Sequence, residues 1–359
     1  MQKRFFFFLV FVLSLLPWRQ ASAQFDTLDI FHGGIHDGQL LLNKYIRPWL
    51  DAFGDDMNAG WYNTAVTHEM GGVDVNVSAN MTIIPGSAKT FDLGSLAFDT
   101  LRVAGSSTMA PTVAGAPGEG PRLYYGETAG SDTVMVADFR SPAGTGYDMV
   151  MTPYLQVGLG LPAGTEIIGR IMIPIDVPKS SARMSLFGVG VKHSLKQWLV
   201  GLEDVPVGVA VFGGYNYLQL YSGFKAEPDD YTFMEDYLPA HFTGQEVRSV
   251  LQSFLFDLLL STDLEYVNAF AGLGYGRSWA RTEVNGRIPV PAFVPELSTD
   301  KAVYTDDHVY GVPDVKMTLR SSVRLNAGIR LNISLFTFHL AYSWAGTSVF
   351  NAGLGMSFR

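Results

Sequence analysis

Residues 316–331, KMTLRSSVRLNAGIRL, alternate along their whole length. One parity reads Met317, Leu319, Ser321, Val323, Leu325, Ala327, Ile329 and Leu331. The other reads Lys316, Thr318, Arg320, Ser322, Arg324, Asn326, Gly328 and Arg330. A period of two marks a strand. The run is long against the ~5–6 residues of an ordinary strand, and it exceeds the ~9–11 that a tilted strand needs to cross a bilayer. In a barrel wall set in lipid, the apolar face turns outward and the small, polar and charged face turns to the lumen. Lys316, Arg320, Arg324 and Arg330 are therefore read as lumen-lining. As a functional feature they form a cationic wall that guides anionic solutes. As a structural one they are neutralised by Asp or Glu from neighbouring strands or from a plug.

Residues 332–344 repeat the pattern. Phe336, Phe338, Leu340, Tyr342 and Trp344 stand against Thr337, His339, Ala341 and Ser343, which places His339 on the lumen side. Residues 348–358 alternate again and end on Phe358. Connection lengths agree with a barrel that has short periplasmic turns and long external loops. Counting back from Phe358, the turns near 331–334 and 262–263 fall inside, and the long segments 223–247 and 282–315 fall outside. Further strands are read at 154–161, 166–175, 184–194, 207–223, 248–261 and 264–281, and at 73–84 and 91–103, while 122–139 is read as one strand, a hairpin or a loop excursion. Because such barrels have an even strand count, the expectation is an all-β, antiparallel transmembrane β-barrel of 12 to 14 strands.

The chain has 359 residues, 47% hydrophobic and 16% charged, with a formal net charge of −9 and no Cys. The acidic balance gives no footprint for a nucleic-acid partner. Without Cys there is no disulfide framework and no thiolate metal site. Lys3 and Arg4, the apolar run 5–16 and Ala21-Ser22-Ala23 form a secretory signal peptide. Beyond it no apolar stretch is long enough for a membrane helix, which leaves a closed barrel as the spanning solution. The expected organisation is a signal peptide at 1–23, a helical plug or cap at 24–67 and an outer-membrane barrel at 68–359, in a Gram-negative cell.

In the middle segment, Leu42, Tyr45, Ile46, Trp49, Leu50 and Phe53 fall on one helical face. Asp37 is the expected N-cap and Gly54 the expected terminator, with a kink or break at Pro48. Trp61, Tyr62 and Asn63 follow in a turn-rich aromatic block. The helix is read as plugging the lumen, capping the periplasmic mouth or packing on the rim.

The signal peptide, the block GWYNTA at 60–65, GVGVKH at 188–193 and the ending GLGMSFR resemble an uncharacterised family of outer-membrane barrels from Bacteroidota-type bacteria. More distantly, the segment ahead of the barrel, with Asn63-Thr64-Ala65, is similar to long-chain fatty-acid transporters. Those carry Asn-Pro-Ala in an N-terminal hatch and pass hydrophobic molecules.

The sequence shows no His-Glu-x-x-His helix and no Gly-x-Ser-x-Gly elbow, so no enzyme, cofactor or metal is expected. Acidic clusters around 227–236 and 306–307 read as solvated loop charge. The expected function is passage or binding of a small hydrophobic, amphipathic or anionic ligand, with outer-membrane lipid as the surrounding partner. The alternatives are a structural barrel acting through its external loops and a membrane-embedded hydrolase.

Overall fold

The structure, a computed structural model, describes residues 29–31, 33–129, 132–176, 182–202, 204–223, 244–286 and 312–358. The expected signal peptide, most of the segments 223–247 and 282–315, and their acidic clusters lie outside the described residues.

One α-helix, α1 (Ile35–Asn58), precedes the first strand, β1 (Val73–Ile83). A long excursion carries β2 (Thr90–Asp92), β3 (Arg102–Val103), β4 (Met109–Pro111), β5 (Arg122–Ala129) and β6 (Asp132–Arg140). Nine strands complete the chain: β7 (Met149–Leu161), β8 (Thr165–Asp176), β9 (Ala182–Ser194), β10 (Val207–Gly223), β11 (Glu246–Thr262), β12 (Val267–Asn285), β13 (Val312–Ile333), β14 (Phe336–Trp344) and β15 (Ser348–Phe358). β7 to β15 pair in sequence and β1 closes the ring between β15 and β7, all antiparallel. Among the described residues no helix is long and apolar enough to cross a membrane.

The barrel therefore has ten strands, not 12 to 14. The surplus came from 91–103 and 122–139. In the first stretch only β2 and β3, at its two ends, are strand, with a 3₁₀ turn at 93–95 between them, and the second is the β5–β6 hairpin, one of the alternatives read for it. They belong to a two-stranded sheet, β2–β4, and a three-stranded sheet, β3–β5–β6, outside the barrel wall.

At the lower rim β1 begins opposite the end of β15, Val73 facing Phe358. Connections such as 162–164 and 334–335, with the longer 195–206, close this rim, while the longest connections, including 84–148, leave the upper rim. The outer wall is apolar: Phe254, Phe256, Leu258 and Leu260 on β11, and Phe336, Phe338, Leu340, Tyr342 and Trp344 on β14, are exposed. The alternate residues Ser253, Asp257, Ser261, Thr337, His339 and Ser343 are buried in the lumen.

β13 breaks the alternation on which its lumen reading rested. Arg277 pairs with Ser321 but Trp279 pairs with Thr318, so Leu319 and Arg320 together face the single residue Ser278. This β-bulge shifts the parity of everything above it. Arg324 and Arg330 point inward, as read, but Met317 and Leu319 also point inward and are buried, and Lys316 is exposed on the outside. The lumen assignment of Lys316 is thus corrected. The inward pull of Met317 and Leu319 onto the apolar flank of α1 is the physical reason. In the natural Cys-free background, a cysteine at 316 should react quickly with a water-soluble maleimide and one at 317 should stay unlabelled in the folded protein. Reversed reactivities would mean an unbroken strand.

Three apolar clusters stack down the axis. Ile30, Phe31, Leu41 and Leu42 pack with Leu93, Leu101, Leu123 and Phe139 above the upper rim. Leu50, Phe53 and Met57 meet Val150, Tyr154, Leu218, Leu251 and Met317 in the upper lumen. Trp61 and Tyr62 meet Ile168, Phe212, Leu259 and Phe270 in the lower lumen. α1 touches β1, β7, β10, β11, β12 and β13, and so stands inside the ring.

Candidate functional site: the plug and its seat

α1 runs unbroken through Pro48 and Gly54 to Asn58, with Gly34 rather than Asp37 at its N-cap. The expected stop at Gly54 does not occur, and of the kink or break expected at Pro48 the break does not. Pro48 withholds a hydrogen bond from the Lys44 carbonyl, but packing against the barrel on most sides outweighs that loss. Asp37 has another task. Its carboxylate accepts from the backbone N–H groups of Asp99, Thr100 and Leu101 at 2.8–2.9 Å, and from the Thr100 hydroxyl. Burial pushes this carboxyl up, but these donors outweigh it and hold its pKa below the usual value. Asp37 thus ties the top of the helix to the excursion. His36 Nδ1 lies 3.2 Å from both Asp37 Oδ1 and Asp99 Oδ2.

Lower down, the apolar face meets the cap and wall. Leu42 is buried in the uppermost cluster, and Ile46 packs on both upper clusters. The Tyr45 hydroxyl donates to the Ala143 carbonyl and the Trp49 indole N–H to the Tyr147 carbonyl, at 2.9 and 3.2 Å. Phe53 is buried among lumen residues. At the end of the helix Asp56 is fully buried. One carboxylate oxygen accepts from Thr82 at 2.8 Å and the other from Thr152. Asp55 accepts from Thr347 at 2.5 Å.

Below Asn58 the chain leaves the helix and descends as an extended leg through the GWYNTA block. Gly60 sits at φ +67°, and a Cβ there would lie 2.2 Å from the Tyr154 hydroxyl. Only glycine fits both the backbone and the space. Arg170, 1% exposed, is sandwiched with its guanidinium carbon 3.9 Å from the Trp61 ring and 4.2 Å from the Tyr154 ring. It donates to the carbonyls of Met57 and Ala59 and to Gln156, at 3.0–3.1 Å. Gly188 admits the edge of the Trp61 indole, which a Cβ would approach to 2.9 Å. The Tyr62 hydroxyl donates to Asp257 at 3.1 Å and accepts from Asn326 at 2.8 Å. Thr64 and the Ala65 N–H meet Ser261.

The cations read from the alternation sit at different heights against this leg. Arg330 donates to Asn63 Oδ1 at 2.7 Å, and His339 Nδ1 lies 3.4 Å from Asn63 Nδ2. Arg324, 1% exposed, reaches the Asp55 carbonyl at 3.5 Å. Arg320 lies at the upper rim, with its guanidinium 3.9 Å from Asp55. Lys316 takes no part. Arg320, Arg324, Arg330 and His339 therefore face α1 or its leg, not an open passage.

Sequence reasoning missed Arg170, Asp56 and the lower-rim lock. In that lock Lys192 pairs with Glu166 at 3.0 Å and donates to the Val66 carbonyl at 2.9 Å. Glu166 also holds His68 at 3.1 Å, and His68 reaches Ser357 at 3.0 Å. A lone arginine inside the apolar run IIGRIMI (167–173) was the available signal for the first of these.

Fold and seat together define a ten-stranded antiparallel β-barrel closed by its own N-terminal segment. The chain belongs to DUF6588, a family of unknown function, whose model matches residues 1–358. No curated protein matches it. Among solved structures it is similar to the attachment invasion locus protein Ail of Yersinia pestis, at 8% identity and a TM-score of 0.26, covering 80% of this chain and 98% of that one. The β domain of the Bordetella autotransporter BrkA matches at 11% identity and a TM-score of 0.33, covering 81% and 100%. The TodX monoaromatic hydrocarbon channel matches at 7% and 0.26, covering 85% and 94%. At such scores the likeness does not extend to function.

Proposed function

We propose that this is a non-enzymatic outer-membrane barrel that keeps its lumen shut and works by binding at its external face. The observation that carries this reading is the occupation of the lumen by residues 50–66, most of them buried and bonded to wall strands down to the lower rim, while the upper half of α1 rises from it to the cap. The signal peptide and the apolar outer wall favour an outer-membrane setting. Short turns and the C-terminus at the lower rim favour a periplasmic lower rim. The upper rim is then external, and it carries a built cap of two small sheets seated on the top of α1. Passage of small hydrophobic or amphipathic molecules would require residues 50–66 to leave their seat, at the cost of several buried hydrogen bonds of about 1 kcal/mol each.

The full-length protein, folded by heat-modifiable gel shift and inserted in a planar bilayer, should show no steady conductance. A sustained ohmic current from the wild-type chain would overturn the closed-lumen reading.

A further inference from the structure

One cleft opens at the upper rim beside the plug, with a cavity volume of about 160 Å³. Its apolar surface comes from Pro48 of α1, from Ile84 and Pro85 just after β1, and from Phe91 of β2. Lys44 and Arg47 of α1 and Arg320 of β13 also line it. Asp51 is the only acidic residue in the lining, and both its oxygens are engaged. Oδ1 accepts from the Arg320 backbone N–H at 2.9 Å and Oδ2 from Arg47 Nε at 3.3 Å. Asp55 accepts from Thr347 and stands 3.9 Å from the Arg320 guanidinium, outside hydrogen-bond reach. Among the described residues Lys44, exposed on the helix, forms no ion pair. The cleft is thus an apolar slot with more positive than negative charge at its mouth, and with donors on Lys44 and Arg320 left to give.

We propose that this cleft binds a small amphipathic carboxylate, its apolar body against Pro48, Ile84, Pro85 and Phe91 and its anionic head between Lys44 and Arg320. This inference rests on the external-face reading above and names the ligand class for it. The chemistry follows from the two surfaces. A neutral apolar molecule would leave the cationic donors unused, and a fully hydrated inorganic anion would leave the apolar slot unused. The volume matches a ring of about six carbons, since a cavity near ~150 Å³ admits benzene. The bulge at Leu319–Arg320 is what brings the cation into position, because it turns Arg320 toward the plug while Met317 and Leu319 seal the lumen wall.

The test uses the full-length protein in detergent micelles, with 4-fluorobenzoate as probe and 4-fluorobenzyl alcohol as its neutral counterpart, both followed by fluorine NMR. Saturable benzoate binding is expected, with the alcohol at least about tenfold weaker, as loss of charged hydrogen bonds implies. Lys44→Glu should weaken benzoate about tenfold, and Ala88→Trp, which fills the slot from its wall, should abolish saturable binding. Lys316→Glu, on the outer face of the same strand as Arg320, should change nothing. No saturable binding by the wild type overturns the proposal, as does binding that survives both Lys44→Glu and Ala88→Trp or equal affinity for the alcohol. The closed-lumen reading fails separately, through conductance of the wild type. A silent bilayer together with absent benzoate binding removes the cleft alone.

Discussion

Gly60→Val is expected to unseat the plug while leaving the barrel folded. The substitution meets two obstacles at once. A β-branched residue at φ +67° costs on the order of 1–3 kcal/mol. Its Cβ would also occupy space 2.2 Å from the Tyr154 hydroxyl and 2.6 Å from Asn80 and Asn351. Tyr154 and Asn80 hold the top of the leg, Tyr154 through the Gly60 carbonyl and Asn80 through the carbonyls of Asp56 and Ala59, and Asn351 braces both. Displacing them adds about 1–3 kcal/mol for each buried polar group left unpaired. Even at the low end of each contribution the total, roughly 4 kcal/mol, approaches the whole stability of a marginal domain. The wall strands do not depend on Gly60 for their pairing, so heat-modifiable mobility should persist while the leg becomes sensitive to protease and a planar bilayer shows channel events. Gly60→Ala should be intermediate, since it keeps the clash but avoids branching. A silent, protease-resistant Gly60→Val protein would show that the close packing around Gly60 does not hold the plug.

The barrel was legible because an apolar outer face imposes its period on every wall strand. The bounds read for 207–223 and 348–358 coincide with β10 and β15, where no bulge interrupts the period. Reading failed where the same period arises from another cause. The 91–103 stretch alternates yet is strand only at its ends, in β2 and β3, and 122–139 is a cap hairpin that only its pairing partners distinguish from the wall. It failed again at Leu319–Arg320, because one extra residue leaves no mark in a run whose two parities are both plausible on either face. The seat was half legible. Three blocks singled out by resemblance, GWYNTA, GVGVKH and GLGMSFR, are far apart in sequence, yet they meet around the leg. Trp61 lies against Gly188, Lys192 bonds the Val66 carbonyl, and Ser357 reaches His68 just below. Their separate oddities, glycines beside aromatics and a lone lysine in a strand, are the trace of one packed interface.

The two arginines most unlike in their surroundings should differ most in consequence. Arg170→Ala is expected to loosen the leg by at least about 3 kcal/mol, at about 1–3 kcal/mol for each of three buried acceptors left unpaired. The alanine strands the Met57 and Ala59 carbonyls and the Gln156 side chain, and it removes the guanidinium between the Trp61 and Tyr154 rings. Arg170→Lys should recover little of this. An ammonium cannot stack between two rings and serve three acceptors from one plane, which is where guanidinium and ammonium part company. Arg320→Ala, by contrast, removes a rim side chain 35% exposed with a single ionic contact at 3.9 Å, worth ~0–1 kcal/mol in that setting. Native-state hydrogen exchange of the amides in 59–66 reads the difference directly, because those groups are protected only while the leg is seated. At 1.4 kcal/mol per factor of ten, Arg170→Ala should speed their exchange by more than a hundredfold and Arg320→Ala by less than about fivefold. Equal acceleration in the two variants would mean that the leg is held by overall lumen charge, and not by the buried stack on Arg170.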